Sequence, residues 1–550
     1  MFDQSVYSSE VGGGGVVFPL PLSVFERYMF LDDCAGNTMT LPLSILIDGV
    51  LDCVAIERSY FEACELHPLF CATISKRDYC WHKVAKPDGI IWLDAGVEYI
   101  FPWEEQHIDI TQSTGLRFAI QVFDNSCIFY FLFHHCLSDG IGFFQFIETL
   151  FECYLKNTGQ KITPKRYDAT NLNFRSKYKL APPPKRVTLF SAVKFMTVEI
   201  FRWLIRRPLA PISQELSNLA SQMNQTNQTN QTNQINQTNQ TNQANQTIQS
   251  NQTSQTNHSD RMDQINRTEQ TESASSMSLL NRKKQLRFVS DFDIAGERIQ
   301  FDLRTWDNSG FIFVRLSSNL TSGIICKSKR NKFTIGDILL SGLFISLAGS
   351  RHLLFSSSGG VKSGGGDDLL RIGLVNNMRG EGAFEIPACN IISYSFPTRR
   401  FSECCESKNF YKTISEELRY IKDYGVGKTF IDGLSIFMRF PYIMGKFIYG
   451  DRCLASVILS SMNRLELHFS SKFSRDVLGR VCVGGMTLVD FSTAAPFRRG
   501  TPISVTTNTY NGQLGFFVQY DAKKITQNDA AKWLAEWLNI IAKENDEDKF

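Results

Sequence analysis

The run NQTNQTNQTNQINQTNQTNQANQTIQSNQTSQTN fills Asn224 to Asn257. Its period is three residues, and it has almost no apolar side chains. Such a tract cannot bury enough surface to offset the entropy lost on ordering it. Disorder is therefore expected across 213–284. That divides the chain into two ordered parts, 15–180 and 285–550, with residues 1–14 expected to be disordered as well. Each NQT is formally an N-glycosylation acceptor. No basic segment followed by an apolar one opens the sequence, so no secretory signal is expected. A repeat expansion in a tolerant loop is the simpler reading of the tract; a secreted, glycosylated adhesive protein is the reading that glycans there would revive.

At 550 residues the chain is long enough for more than one core. With 43% hydrophobic and 21% charged residues it reads as globular, and a net charge of +3 demands no nucleic-acid partner. No run of 18 apolar residues exists, so a spanning helix is not expected. The 43 phenylalanines predict wide apolar surfaces inside. The 14 cysteines make no CxxC pair and no Cys/His cluster with zinc spacing. They are read as mostly reduced core thiols in a reducing compartment, the cytoplasm, with no metal site.

Both parts mix strands and helices. TLPLSILIDGVL reads as a strand with a turn, and the following segment as a helix with Val54, Ile56, Phe61, Cys64 and Leu66 on its apolar face. LRFAIQVFDNSCIFYFLFHH reads as a hairpin turning at Asp124-Asn125-Ser126. IGFFQFIETLFECYLK is helical, with Ile141, Phe144, Ile147, Phe151 and Tyr154 on one side. In the second part FTIGDILLSGLFISLAGS is helical, LLRIGLVNNMR and NIISYSFP are strands, and Asn511-Gly512 turns a hairpin. A closing helix points Ala530, Trp533, Trp537 and Ile540 inward. Residues 181–212 read as an amphipathic connection, with Leu189, Val193, Met196, Ile200 and Trp203 on one face of a helix over 187–205. Lys194, Glu199 and Arg202 argue against spanning. That helix either lies on a membrane surface or covers an apolar face of its own protein.

The chemistry concentrates in IFYFLFHHCLSDGIGFFQF, residues 128–146. A strand ends at Phe133 and a helix begins near Gly140. Side chains alternate along a strand, so His134 and His135 point to opposite sides, and only one can face a given cavity. Histidine is suited to take a proton from an alcohol, amine or thiol near neutral pH. Asp139 could fix its tautomer directly, or pin the loop through an arginine elsewhere. Gly140 permits a close backbone approach or a positive φ. The plainer reading makes Ser138 or Asp139 a helix N-cap and both histidines core residues. GVGKT at 425–429 is not a phosphate-binding loop, because the required earlier glycine is Lys422.

His134-His135-x-x-x-Asp139-Gly140 resembles the HHxxxDG motif of the CoA-dependent acyltransferase superfamily. That superfamily includes condensation domains, wax ester synthase/diacylglycerol acyltransferases and polyketide-associated acyltransferases. FPLPLSVFERYMFLDD, GVLDCVAIERSYFEACELHPLFCATI and IDITQSTGLRFAIQVF are similar to its opening segments. GLVNNMRG, PACNIISYSFP and VILSSMNRL are similar to its second half, with Cys389 where glycine is usual and Arg464 replacing another glycine. The BAHD branch's DFGWG is absent; VDFSTAAPF at 489–497 is not equivalent. The resemblance covers roughly 16–155 and 300–540.

It implies an α/β (α+β) fold of two chloramphenicol-acetyltransferase-like lobes, 15–180 and 285–550. Each lobe would be a mixed sheet with helices, and together they would form a V-shaped pseudo-dimer with an active-site tunnel between them. It implies transfer of an acyl group from a CoA or carrier-protein thioester to a hydroxyl or amine of a small-molecule or lipid acceptor. His135, His134 and Asp139 would be the catalytic motif: His135 the general base, His134 mainly structural, and Asp139 paired with an arginine, for which Arg379 is the candidate. Asn463 and Ser460 are candidates for oxyanion or substrate binding. No cofactor or metal is implied beyond the thioester substrate, and no acyl-enzyme, so Cys136 need not be a nucleophile. A cytoplasmic monomer is expected, with peripheral membrane contact through 187–205 if that helix lies on a bilayer. The alternative is a catalytically silent relative that binds acyl or carrier-protein partners.

Overall fold

The computed structural model describes residues 18–177 except 35 and 85, then 208–213, 285–355, 368–380, and 385–543 except several between 441 and 452. The segments 1–14 and 214–284, and the helix expected over 187–205, lie outside the described residues. At the expected start of the disordered segment, Ser213 is instead buried: its N–H donates to the Lys524 carbonyl, and its hydroxyl accepts from the Thr526 N–H.

The first lobe is built on six strands, in the order Cys482–Val483, Met486–Thr493, Thr40–Asp48, Ser126–His134, Leu116–Val122 and Ile91–Leu93. The central strand Ser126–His134 is apolar on both faces, because both are covered. Phe129, Phe131 and Phe133 meet the helices Cys53–Leu66 and Gly140–Asn157: Phe133 stacks on Phe143 at 3.9 Å, and Phe129 on Phe151 at 6.1 Å. Tyr130 and Leu132, on the other face, join a cluster with Trp306, Phe311 and Phe517 of the second lobe.

The second lobe's main path runs Ile392–Ser395, Leu369–Asn377, Val457–Arg464, Ile503–Tyr510, Gln513–Asp521, Ser309–Arg315, Glu297–Trp306, Gln285–Ile294, with Thr398–Arg400 beside Leu369–Asn377. Leu369–Asn377, Val457–Arg464 and Ile503–Tyr510 are parallel neighbours and the other pairs antiparallel, so the sheet is mixed. Helices Ile335–Gly349 and Gln527–Ala542 supply its core, with Leu343, Phe344, Trp533 and Trp537 fully buried.

Four expectations need correction. The lobes are not sequential: Met486–Thr493 pairs with Thr40–Asp48, with Leu488 opposite Ile47 and Phe491 opposite Ile45, so it belongs to the first sheet. It caps an edge that would otherwise offer an unpaired apolar strand. On helix Cys53–Leu66 the buried side is Ile56, Tyr60 and Ala63, at i, i+4 and i+7, while Val54 is 81% exposed on the far side of the first turn. On the closing helix, Ile541 rather than Ile540 completes the buried stripe. Of the 14 cysteines, all free thiols, only seven are buried, so half rather than most are core residues. GVGKT opens helix Gly427–Phe437 just after helix Lys408–Asp423, not after a strand, so its context is not that of a phosphate-binding loop.

His67 sits where the two halves meet. Its Nδ1 accepts from the Ala388 N–H at 2.8 Å, so Nε2 carries the proton and donates to Thr149 Oγ1 at 2.9 Å. Complete burial, reinforced by the charge of Lys165, pushes its pKa down to about 3 from 6.5. The folded state therefore holds His67 neutral while the unfolded chain takes up a proton. Its contribution is intact above about pH 6.5 and is lost as pH falls towards 3. Urea denaturation at about pH 6.5 and pH 5 should show wild type losing roughly 2 kcal/mol more than His67→Leu.

Candidate active site

The strand Ser126–His134 delivers the two histidines to opposite sides. His134 is completely buried and outside the cavity. Its Nδ1 accepts from the Cys136 N–H at 3.1 Å, and its Nε2 faces Asp33 Oδ2 at 3.5 Å. The same carboxylate oxygen holds His107 Nε2 at 2.9 Å. Burial alone would raise the Asp33 carboxyl, but the bonds from His107, His134 and the Met39 N–H hold it far below the usual range. In return, Asp33 raises His107.

His135 turns the other way, into a narrow cavity of ≈ 80 Å³ between the lobes. Its Nδ1 lies 3.1 Å from the Ser138 carbonyl. A carbonyl only accepts, so Nδ1 carries the proton and Nε2 keeps its lone pair. Asn390 Nδ2 approaches the same Nδ1 at 3.3 Å, donor facing donor, and spends its hydrogen on the His135 carbonyl at 2.7 Å. Among the described residues Nε2 has no hydrogen-bond partner. Burial depresses the His135 pKa, more than the nearby Asp139 charge and the Ser138 carbonyl raise it, so the imidazole is neutral at neutral pH.

Asp139 does not touch His135's nitrogens. It N-caps helix Gly140–Asn157, Oδ1 accepting from the Gly142 N–H at 2.8 Å. Its Oδ2 accepts from Arg379 Nη1 at 2.8 Å and from the Ile391 N–H at 2.7 Å. The expected Asp139–Arg379 pair is thus present, with side chains 2% and 1% exposed. Arg379 also donates to the Cys389 carbonyl at 3.0 Å. The capping reading and the ion-pair reading of Asp139 both hold, one oxygen serving each.

Ser460 lines the cavity with Ser461 and Met462. Asn463 does not: the strand bulges between Ser461 and Arg464, Asn463 takes a φ of 54°, and its side chain is exposed. Gly140 has no positive φ; a Cβ there would meet the Met462 Cε at 2.7 Å, the end of a flexible side chain. The stricter position is Gly142, where a Cβ would meet the Cys389 carbonyl and Ser138 Oγ at 2.5 Å. Cys136 is buried, its thiol pushed well up by desolvation and donating to the Glu26 carbonyl at 3.3 Å, so it is no nucleophile. Among the described residues no three His, Cys, Asp or Glu side chains gather as metal ligands.

The cavity wall is mostly apolar, with Met29, Met39, Leu41, Phe133 and Ile458. One buried ion pair interrupts it. Arg498 Nε lies 3.0 Å from Asp32 Oδ2, and burial, which would lower the guanidinium's pKa, is outweighed by the Asp32 carboxylate. Sequence reasoning missed Asp32, Asp33, His107, Asn390 and Arg498. One signal was available: the doublet Asp32-Asp33 at a helix end, split across two sides as the histidine doublet is.

Asp139→Asn keeps the size but leaves the Arg379 charge buried without its counter-ion. Denaturant titration should show a loss of about 3–5 kcal/mol, with Asp139→Asn/Arg379→Met recovering part of it.

No family model matches the sequence, and no curated protein is similar to it in sequence. Solved structures are similar in fold. The condensation domain of the Monacolin K polyketide synthase MokA has a TM-score of 0.54 at 11% identity, covering 96% of this chain and 97% of that one. The trichothecene 15-O-acetyltransferase TRI3 of Fusarium sporotrichioides has a TM-score of 0.59 at 10% identity, covering 95% and 94%. The epimerization domain TycB3(E) of tyrocidine synthetase B has a TM-score of 0.54 at 12% identity, covering 97% and 98%. The fold of this chain is thus the one these condensation, acetyltransferase and epimerization domains share: two α/β lobes, here with a cavity between them.

Proposed function

We propose that the chain is an acyltransferase, moving an acyl group from a CoA or carrier-protein thioester to a hydroxyl or amine acceptor. Fold alone does not fix the chemistry, since the similar structures include an epimerization domain. One observation carries the reading: a neutral His135 with Nδ1 spent on a backbone carbonyl and Nε2 open to the interlobe cavity. That is the state a general base needs.

Nε2 takes the acceptor's proton as its oxygen or nitrogen attacks the thioester carbonyl. The new C–O or C–N bond forms, the carbonyl oxygen becomes an oxyanion, and collapse breaks the C–S bond. The departing thiolate recovers the proton from His135. Ser460, on the second lobe's wall of the cavity, is the hydroxyl we assign to oxyanion stabilisation. The donor's pantetheine arm lies along the lobe interface, so that both substrates meet at one imidazole and proximity supplies part of the rate.

The rival reading is a silent binder of acyl or carrier-protein partners. The narrowness of the cavity favours it, since ≈ 80 Å³ cannot hold two substrates. Yet Met29, Met39 and Met462 line that space, and thioether chains turn aside readily.

Thiol release with a panel of acyl thioesters and acceptors decides between them. Wild type should turn over, and His135→Ala should lose at least ~100-fold in kcat with its melting temperature unchanged. Turnover surviving in the variant would remove His135 as the base. Because burial lowers the His135 pKa, kcat/KM should be flat through neutrality and fall only on the acid side of pH 6.5.

A further inference from the structure

The cavity holds a chemical contradiction. Its wall of methionine, leucine, phenylalanine and isoleucine side chains would suit hydrocarbon, yet it contains a complete ion pair. Asp32 is the last residue of helix Val24–Asp32, and Arg498 follows strand Met486–Thr493. The guanidinium grips the carboxylate through two nitrogens, Nε to Oδ2 at 3.0 Å and Nη2 to Oδ1 at 3.3 Å. The side chains of Arg498 and Asp32 are 7% and 2% exposed. Tyr28, one turn back on the same helix, has the guanidinium 5.8 Å from its ring centre. Tyr394, on strand Ile392–Ser395, lines the same space.

Stability does not account for this. Desolvating two charges offsets most of their attraction, and replacing a buried pair by apolar residues of similar volume is often neutral or stabilising. Nor does bracing the motif require Asp32, because the neighbouring Asp33 does that from behind His134. What the pair offers is recognition. Its net charge is zero, so an incoming carboxylate or phosphate would meet Asp32 and an ammonium would meet Arg498. It presents donors and acceptors side by side, which suits a neutral group that both donates and accepts: a hydroxyl or an amide.

We infer that Asp32 and Arg498, with Tyr28 and Tyr394, form a polar specificity subsite that holds a second hydroxyl or an amide of the acceptor while His135 deprotonates the reacting group. This rests on the acyl-transfer reading and narrows it. The acceptor is a neutral molecule with at least two polar groups, such as a diol or a hydroxy amide. A lipid fits if it carries such a second group, as a partial glyceride does; a plain long-chain alcohol fits poorly.

The test uses an alkanol and a series of alkanediols of the same chain length in which the second hydroxyl moves along the chain. With an acyl-CoA that wild type accepts, kcat/KM should favour the best diol over the alkanol by at least ~10-fold, because its second hydroxyl gains hydrogen bonds to charged partners that the alkanol cannot make. Asp32→Leu/Arg498→Met should lose most of that ratio while still acylating the alkanol. Tyr394→Phe, which removes a single hydroxyl, should shrink the ratio in a fold-neutral background and serves if the double variant does not fold. A wild type with no diol preference, or a ratio unchanged in the variants, overturns the inference. If no thioester is turned over at all, the acyl-transfer reading fails instead. Calorimetric binding of the diols and the alkanol to wild type and variants then decides the subsite by the same ratio.

Discussion

The Asp139 carboxylate carries more of this architecture than any catalytic group. Three donors converge on it: the N–H of Gly142, the guanidinium of Arg379 and the N–H of Ile391. The first starts the helix behind the motif, and the other two belong to the second lobe. An anion this deeply buried is tolerated only when nearly all its lone-pair sites are used. Satisfying it therefore draws Arg379 and residues 388–391 of one lobe against the strand–helix corner of the other. Asn390 arrives with that segment and fastens the His135 carbonyl, and Ala388 reaches His67. The position of the imidazole follows from the solvation demand of a residue that never meets it.

The two doublets divide labour in the same way. His135 and Asp32 face the cavity, while His134 and Asp33 face each other behind it. In each doublet one residue faces the cavity, where the proposed chemistry would take place, and its neighbour holds the backbone from behind. The bracing side is buried and built around the Asp33 carboxylate, which His107 and the Met39 N–H hold while His134 faces it at 3.5 Å. The working side is surrounded by thioether and alkyl groups that can move.

How far this was legible depends on the range of the interaction. Period-two alternation separated His134 from His135 without help, since strand geometry is local. The Asp139–Arg379 pair spans two halves of the chain, and no local pattern encodes it; family resemblance supplied the partner. Asn463 was misplaced because a bulge after Ser461 changes which side chains face inward, and nothing in SSMNR announces a bulge. Val54 was misassigned for the opposite reason: it is apolar and on the helix, but on the turn that no neighbouring element covers. The crossing of Met486–Thr493 into the first sheet was invisible, because a strand's sequence shows that it alternates and not which edge it will join.

That crossing strand bears on how the molecule can be cut. Described residues up to 177 build the first lobe and most of those from 285 onward the second, yet Met486–Thr493 returns a strand to the first sheet before the chain finishes in the second. A nick anywhere in 214–284 would leave two polypeptides, one of them still contributing a strand to the other's sheet. The lobes are thus threaded through one another as well as joined end to end. A covalent link at 214–284 need not set the spacing of the halves, because the strand they share already does.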